Sequence, residues 1–346
     1  MPSSRTRSCL PLLHRLNLEQ IAKLSGVSRT TALHVINNDP TVNRDTRENV
    51  LRAVRLMNYL PNAAVRGRMH VIGLVTPASV ASLFADPHFA VLIQGVSSAC
   101  AARGYAVMLW VAEPQYERHQ VHQIVHSGVI DGVIVASALV DDPLVSELGH
   151  SQRPFVAVGR RPHDWQATSL DIDNSGGARA AVRHLLRQGR RRIATITGPQ
   201  NLIAGVDRLT GYLTALRDNG FPVDQDLIVD GGFSESGGYR AMQQLLPQRP
   251  DALFVAGDTM AVGALHAIRD AGWRVPHDVA VVGFDDTPFA ACADPPLTVI
   301  RQPAQQLGQI AVEILLDSID DPDVAPRCII LPTELIVRAS CGAVTL

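Results

Sequence analysis

The spacing of apolar positions changes near residue 70, and the two halves of that pattern predict different kinds of structure. At the front the period is helical: Leu18, Ile21 and Ala22 recur three and four residues apart, predicting a helix that Asn17 would cap with Gln20 reaching back. Ser25-Gly26-Val27 interrupts it, because Gly26 accepts a positive φ without steric cost. Ser28 can cap a second helix that buries Ala32, Val35 and Ile36 and leaves Arg29, Thr30, Thr31, His34 and Asn37 polar. Asn43 can cap a third, DTRENVLRAVRLMNY, whose Val50, Val54 and Met57 close over the first two, and Pro61 ends it. Two short helices across a glycine turn, the second polar from its first turn, form the helix-turn-helix pattern that places that helix in a DNA major groove. The alternative is an ordinary helical hairpin.

Beyond the short basic connector NAAVRGRMH the period is lost, and near-continuous Val, Ile, Leu and Ala runs take over. The runs 71–77, 105–112, 132–137 and 155–159 predict strands, with helices over about 87–103 and 115–127. The runs 192–198, 227–233, 252–257 and 279–286 repeat the rhythm, with helices over 174–189, 203–219, 235–246 and 258–271. Strands apolar on both faces and separated by amphipathic helices belong to parallel sheets. The expected fold class is therefore α/β: a three-helix head, then two lobes of doubly wound parallel sheet. In such sheets ligands bind beyond the carboxyl ends of the strands. Gly159-Arg160-Arg161, Gly198-Pro199, Gly257-Asp258 and Phe284-Asp285-Asp286 all stand at those ends. Asp258 reads as a helix cap, and in the doublet Asp286 can cap while Asp285 faces the cleft. Arg208, inside a predicted helix, reads on its own as a solvated charge.

Charge sharpens the division. Residues 1–70 hold 11 Lys or Arg against 4 Asp or Glu, a net +7, whereas the remainder holds 20 against 29, a net −9. A basic head on an acidic body is the footprint of a phosphate-binding module joined to something that does not touch DNA. The five cysteines are scattered with no CxxC and no metal-ligand spacing, so they are expected to be reduced, in the cytoplasm, with no metal and no cofactor. No apolar run reaches the roughly 18 residues of a membrane span. Residues 9–13 (CLPLL) are too short for a signal-peptide core, and residues 1–16 are expected to be a disordered basic arm or an upstream extension. GxSxG, HExxH, P-loop and GxGxxG fingerprints are lacking, so no enzyme is expected.

In order, these segments resemble the LacI/GalR family of bacterial transcription regulators, the second half being most similar to its purine repressor branch. The resemblance runs from Asn17 to about Cys341. At the front it rests on IAKLSGVSRTT, HVIN, TRENV and NYLPN; in the body, on VIGLV, GYAVML, DGVIV, TGPQN and the run Arg208-Leu209-Thr210-Gly211-Tyr212, then ESGGYRAMQQLL, GDTMAVGALHAIRDAGWRVPHDVAVVGFDD, PPLTVIRQP and LPTELIVRASC. The family implies a homodimer whose heads read a palindromic operator on double-stranded DNA. It also implies a two-lobed, periplasmic-binding-protein-like core that closes on a small-molecule effector. By the resemblance, Ser28, Arg29, Thr30, Thr31, His34 and Asn37 meet DNA; an Arg at the start of the recognition helix suits bidentate contact with guanine, worth about 1–3 kcal/mol of discrimination. In the core, Arg208 and Asp285 match two cleft residues that hold the effector, Phe233 an aromatic that stacks on it, and His88 and Phe89 residues of the opposite lobe.

Three departures from the family pattern shape the expectation. Leu33 replaces a Ser that touches the DNA backbone. The connector is several residues short and lacks the leucine that wedges into the minor groove, leaving Val65 or Met69 as the apolar wedge; the alternative is that no hinge helix forms and the DNA is bent less. Leu202 replaces a second cleft arginine of the purine branch, and Gly159-Arg160 a Trp-containing segment, which argues against a purine and for a sugar or polyol, with Arg160 as a further contact. The expected organisation is an arm (1–16), a helix-turn-helix domain (17–61), a shortened hinge (62–70) and a core (71–346), its first lobe spanning about 71–160 with 295–322 and its second about 161–294 with 323–346. The expected function is a cytoplasmic, sugar-responsive repressor, with a purine or nucleoside as the alternative effector. A solute-binding protein would fit the body but leave the basic head unexplained. No leucine-heptad tail is present, which favours a dimer.

Overall fold

The computed structural model describes residues 18–36, 39, 41–56, 70–76, 80–111, 129–136, 139–140, 143–151, 153–159, 167–321 and 323–343. It divides into two compact units, the N-terminal helices and the body that begins at His70.

The head is three helices: α1 (Leu18–Ser25), α2 (Arg29–Ile36) and α3 (Arg44–Leu56). Its core is Leu18, Ile21, Ala22, Ala32, Val35, Val50 and Ala53, with Leu33, Ile36 and Val54 half-buried against it. Gly26 stands at φ +67°, where open space surrounds it, so the turn selects glycine for its backbone alone. Val27 N–H donates to Ala22 O at 3.0 Å and closes the first helix. Both predicted caps form: Thr31 N–H donates to Ser28 Oγ at 3.0 Å and Thr46 N–H to Asn43 Oδ1 at 2.8 Å. The expectations for Asn17, Met57, Pro61 and the connector lie outside the described residues.

The body begins with β1 (Val71–Thr76), α4 (Val80–Ala85), α5 (Pro87–Ala102), β2 (Ala106–Val111), β3 (Gly132–Ala136), α6 (Pro143–His150), β4 (Phe155–Val158) and β5 (Ser169–Ile172). It continues with α7 (Asn174–Arg187), β6 (Ile193–Thr197), α8 (Ile203–Asp218), β7 (Ile228–Asp230), α9 (Glu235–Leu245), β8 (Ala252–Val255), α10 (Asp258–Asp270) and β9 (Ala280–Asp285). The last elements are α11 (Pro288–Cys292), β10 (Thr298–Arg301), α12 (Ala304–Asp320), β11 (Cys328–Leu331) and β12 (Glu334–Ile336). Two six-stranded sheets result, ordered β11-β5-β4-β3-β1-β2 and β12-β10-β9-β8-β6-β7. All pairings are parallel except β12, which runs antiparallel to β10. Residues of β3, β6 and β8 are buried throughout, as strands covered by helices on both faces must be.

The sheets correct the expected lobe boundaries. Ser169–Ile172 pairs with β4 in the first sheet, so the chain first crosses between lobes at 172–174 rather than near 160. Thr298–Arg301 lies in the second sheet beside β9, so the second crossing is at 301–304, and residues 295–301 belong to the second lobe. Cys328–Leu331 returns to the first sheet beside β5 before a third crossing at 331–334. Asp171 interrupts the apolar signal of β5, and β11 is a half-exposed edge, which is why neither reads as a lobe-one strand. The expected helix over 115–127 lies outside the described residues.

Candidate functional site

In the head, Arg29 and Thr30 open the recognition helix and are exposed. Ser28 is exposed too, but its hydroxyl is held by the cap and by Thr31 Oγ1 at 2.8 Å, so these two side chains fix the start of the helix as well as standing beside Arg29. His34 Nδ1 lies 2.7 Å from Asp39 Oδ2, and Asp39 Oδ1 accepts from Thr41 N–H and Thr41 Oγ–H at 2.9 and 2.7 Å. The Thr41 hydroxyl and amide, with His34 adding a smaller effect, hold the Asp39 carboxyl below its ordinary value. Arg47 donates to the Asp39 carbonyl and ties this turn to α3. His34 is thus oriented through one nitrogen. Asn37, Val65, Met69 and Arg160 fall outside the described residues.

In the body, the predicted residues converge at the carboxyl ends of the second sheet. Arg208, on α8, is 5% exposed, so it is not a solvated helix charge. Its Nε donates to Asn174 Oδ1 at 2.8 Å, and its Nη1 to Ala256 O at 2.7 Å and Asp285 Oδ1 at 3.1 Å. The guanidinium carbon lies 3.7 Å from the centre of the Phe284 ring and 5.9 Å from that of Phe233. Asp285, the last residue of β9, also accepts from Gln302 Nε2 at 2.5 Å. Phe233 is brought to the same place by the loop after β7: a Cβ built on Gly257 would meet Phe233 Cδ1 at 3.4 Å and Asp285 Oδ2 at 3.5 Å. A Cβ on Gly198 would fall 2.1 Å from Phe233 Cζ, so the ring occupies space that only glycine leaves.

Two cap assignments are corrected. Asp258 is the first residue of α10 but does not cap it; its Oδ2 accepts from Thr287 N–H at 2.7 Å and Thr287 Oγ–H at 3.1 Å, holding the loop after β9. Burial, and then the nearby Asp285, push the Asp258 carboxyl well above its usual range. Asp286 caps nothing either, because it pairs with Arg301 Nε at 2.7 Å and Arg338 Nη2 at 2.6 Å. Those two arginines hold Asp286 out of the cluster and leave Asp285 as its anchor.

The first lobe contributes from the start of α5. Asp86 caps that helix, its Oδ1 accepting from His88 N–H at 3.0 Å, with Pro87 next. Burial and the charge of Asp285 raise the Asp86 carboxyl, while Arg208 acts in the opposite direction, so Asp86 stands within electrostatic reach of both anchors. His88 and Phe89 pack edge to face with ring centres 5.7 Å apart, Phe89 being 9% exposed. Among the described residues, the buried His88 Nδ1 and Asp258 Oδ1 have no hydrogen-bond partner. Leu202 opens α8 without a side-chain cap and pairs with Leu139 of the first lobe in an antiparallel bridge, Val140 N–H donating to Asn201 O at 2.9 Å. Sequence reasoning missed Asp86, Asn174 and Gln302. An Asp before Pro signals a helix cap, but nothing local says that its carboxyl feels the charges of Asp285 and Arg208 from the other lobe.

A helix-turn-helix unit with an exposed Arg29-Thr30 edge, joined in one chain to two parallel-sheet lobes that meet at a buried polar cluster, defines a ligand-responsive DNA-binding regulator. Known proteins agree. Residues 17–62 match the bacterial regulatory proteins of the lacI family, and residues 182–341 match a periplasmic binding protein-like domain. The HTH-type transcriptional regulator CelR of Thermobifida fusca is 39% identical over 335 residues, covering 94% of this chain and 98% of that one. The HTH-type transcriptional repressor PurR of Erwinia tasmaniensis is 36% identical over 333 residues, covering 93% and 96%. Among solved structures, a CelR–cellobiose complex matches with a TM-score of 0.76 at 39% identity, over 94% of this chain and 100% of that one. The lac repressor dimer bound to operator and the anti-inducer ONPF matches with a TM-score of 0.72 at 28% identity, over 95% and 100%. The chain belongs to the LacI family of bacterial regulatory proteins and is a DNA-binding transcriptional regulator.

Proposed function

We propose that this regulator is a dimeric repressor whose affinity for a palindromic operator is set by a neutral sugar bound between the two lobes. The observation that carries the sugar is the charge balance at Arg208: its buried guanidinium is already paired with Asp285, and the carboxyl groups of Asp86 and Asp258 feel the charge of Asp285. Arg208 therefore offers an anionic ligand no unpaired positive charge, whereas hydroxyl groups can donate to carboxylates and accept from Arg208. The Phe233 ring offers an apolar face of the kind that stacks on a pyranose. The similarity to CelR, solved with cellobiose, supports the same ligand class, and the similarity to the lac repressor dimer supports the dimer. A purine base is the competing ligand, on the 36% identity to PurR; Leu202, engaged with Leu139, supplies no polar group for it. At the DNA end, Arg29 and Thr30 are the base-reading residues, Ser28 and Thr31 fix the helix start beside the backbone, His34 extends the same face, and Asn37 is a further DNA contact.

The test is a thermal-shift screen of the full chain against cellobiose and other neutral sugars, polyols, sugar phosphates and purine bases. A ligand that binds only the native state adds about 2.7 kcal/mol at a hundredfold excess over its dissociation constant. A neutral-sugar response abolished by Asp285→Ala is expected. A response to sugar phosphates or purines alone would overturn the charge argument.

A further inference from the structure

The three places where the chain crosses between lobes are 172–174, 301–304 and 331–334. Two of them carry a buried amide side chain aimed at a ligand anchor. Asn174, 3% exposed, donates from Nδ2 to Asp171 Oδ1 at 3.1 Å and accepts at Oδ1 from Arg208 Nε at 2.8 Å. Gln302, 7% exposed, donates from Nε2 to Asp285 Oδ1 at 2.5 Å, and its backbone N–H reaches Asp285 O at 3.3 Å. The Arg208–Asp285 pair at 3.1 Å joins the two halves. An unbroken polar chain, Asp171–Asn174–Arg208–Asp285–Gln302, therefore runs from the first crossing to the second through both anchors. We infer that Asn174 and Gln302 are positioning residues that couple ligand contact at Arg208 and Asp285 to bending of the two crossings; the inference rests on the ligand reading of those anchors.

The chemistry of the chain leaves little slack. Asp171 accepts from the Asn174 NH2, which turns the Asn174 oxygen toward Arg208; a leucine would strand both neighbours, and an aspartate would set a second carboxylate against Asp171. Buried hydrogen bonds in series strengthen one another, and a buried donor that loses its partner cannot recover it from water. A ligand that draws the guanidinium or the Asp285 carboxylate toward itself must lengthen a bond to one crossing or carry that crossing with it. The second course is the less costly where a short connector can absorb the change in φ and ψ. Asp171 is itself in the first lobe's sheet, so the pull reaches both lobes.

The experiment is amide hydrogen exchange on the full-length protein without ligand, comparing wild type with Asn174→Ala, Gln302→Ala and the double variant; Asn174→Ser, a smaller change, serves if Asn174→Ala does not fold. Each single variant is expected to speed exchange at least fivefold in the crossing it does not occupy. The double variant is expected to fall short of the product of the singles, since both cut one chain. Faster exchange confined to each variant's own crossing, with effects that multiply, would reduce both residues to local supports and overturn the proposal. The readout needs no ligand, so it stands apart from the sugar screen: local exchange alongside a sugar response lost in Asp285→Ala would sink the coupling and leave the ligand site intact.

Discussion

Asp285→Ala tests the site where its energetics are most exposed. The substitution removes the carboxylate facing Arg208 across 3.1 Å, in a pair whose side chains are 6% and 9% exposed. Breaking a buried ion pair by deleting one partner costs about 3–5 kcal/mol, because the other charge stays desolvated. Three features pull this case to the low end. Arg208 keeps Asn174 and Ala256 as acceptors, the Phe284 face remains 3.7 Å away, and removing Asp285 relieves the charge that raises Asp86 and Asp258. Gln302 Nε2 loses its acceptor, which adds a cost of about 1–3 kcal/mol if it finds no other. The expected loss is about 3 kcal/mol, or roughly 6–12 °C in Tm at about 2–4 °C per kcal/mol for a domain of this size. Asp285→Asn also removes the charge but keeps an oxygen for Arg208, so it should lose less than Asp285→Ala, by about 1 kcal/mol. Thermal and urea unfolding of the full chain would measure both, with operator affinity recorded with and without cellobiose. An alanine variant as stable as wild type would refute the buried pair as an energetic unit. A cellobiose response that survived in the alanine variant would refute the ligand role.

The other perturbations are narrower. Arg29→Ala should weaken operator binding by about 1–3 kcal/mol while leaving affinity for random DNA nearly unchanged; an equal loss on both would mean that Arg29 touches only phosphates. Ser28→Ala removes the acceptor of the Thr31 amide and should cost the head about 1 kcal/mol, seen as faster exchange of 18–56 and nowhere in the body. Gly198→Ala puts a methyl into the Phe233 ring, so it should abolish the sugar-induced thermal shift; in a Phe233→Ala background the same change should be nearly silent. For Asp258, burial and Asp285 raise the carboxyl, so the folded state keeps a proton that the unfolded chain has released. Stability should accordingly fall as pH rises from about 4 through the raised value. Asp258→Asn should flatten that fall, with Asp86 leaving a remnant; an unchanged slope would show that Asp258 does not titrate there.

The parts that sequence made legible are those set by neighbours in the chain. Ala32 and Val35 face inward because helical spacing puts them on one side, and Ser28 and Asn43 cap because they precede helices whose first amides need acceptors. The cores of β1, β3, β6, β8 and β9 announce themselves as apolar runs. Contacts between distant segments were not legible in that way. Asp258 was read as a cap since it opens a helix, yet its acceptor capacity goes to Thr287, 29 residues on. Ser169–Ile172 looks like a loop until Ala157 and Val158 supply its ladder. Arg208 reads as a surface charge on its own helix; only Asn174, Ala256 and Asp285, from three other segments, account for its burial. The resemblance located Arg208 and Asp285, while Asp86, Asn174 and Gln302 follow from three dimensions alone.

Backbone strain gives an independent reason to place function at this cluster. Among the described residues five other than glycine have positive φ, and three of them are Phe233 (+50°), Asp285 (+114°) and Asp286 (+62°). A conformation of that kind costs of order 1–3 kcal/mol and persists only where the surroundings over-determine it. Here the surroundings are visible. Gly198 and Gly257 leave room for the Phe233 ring, Arg301 and Arg338 grip Asp286 from two sides, and Arg208 and Gln302 grip Asp285. Aspartate tolerates positive φ better than most residues, but a stable turn at these positions would be built more cheaply with glycine. The strained side chains are instead the carboxylate and the aromatic ring that converge beside Arg208. Glycine at Asp285 would relieve the backbone but remove, in the same step, the carboxylate that Arg208 and Gln302 hold, so the strain is kept for the sake of that side chain.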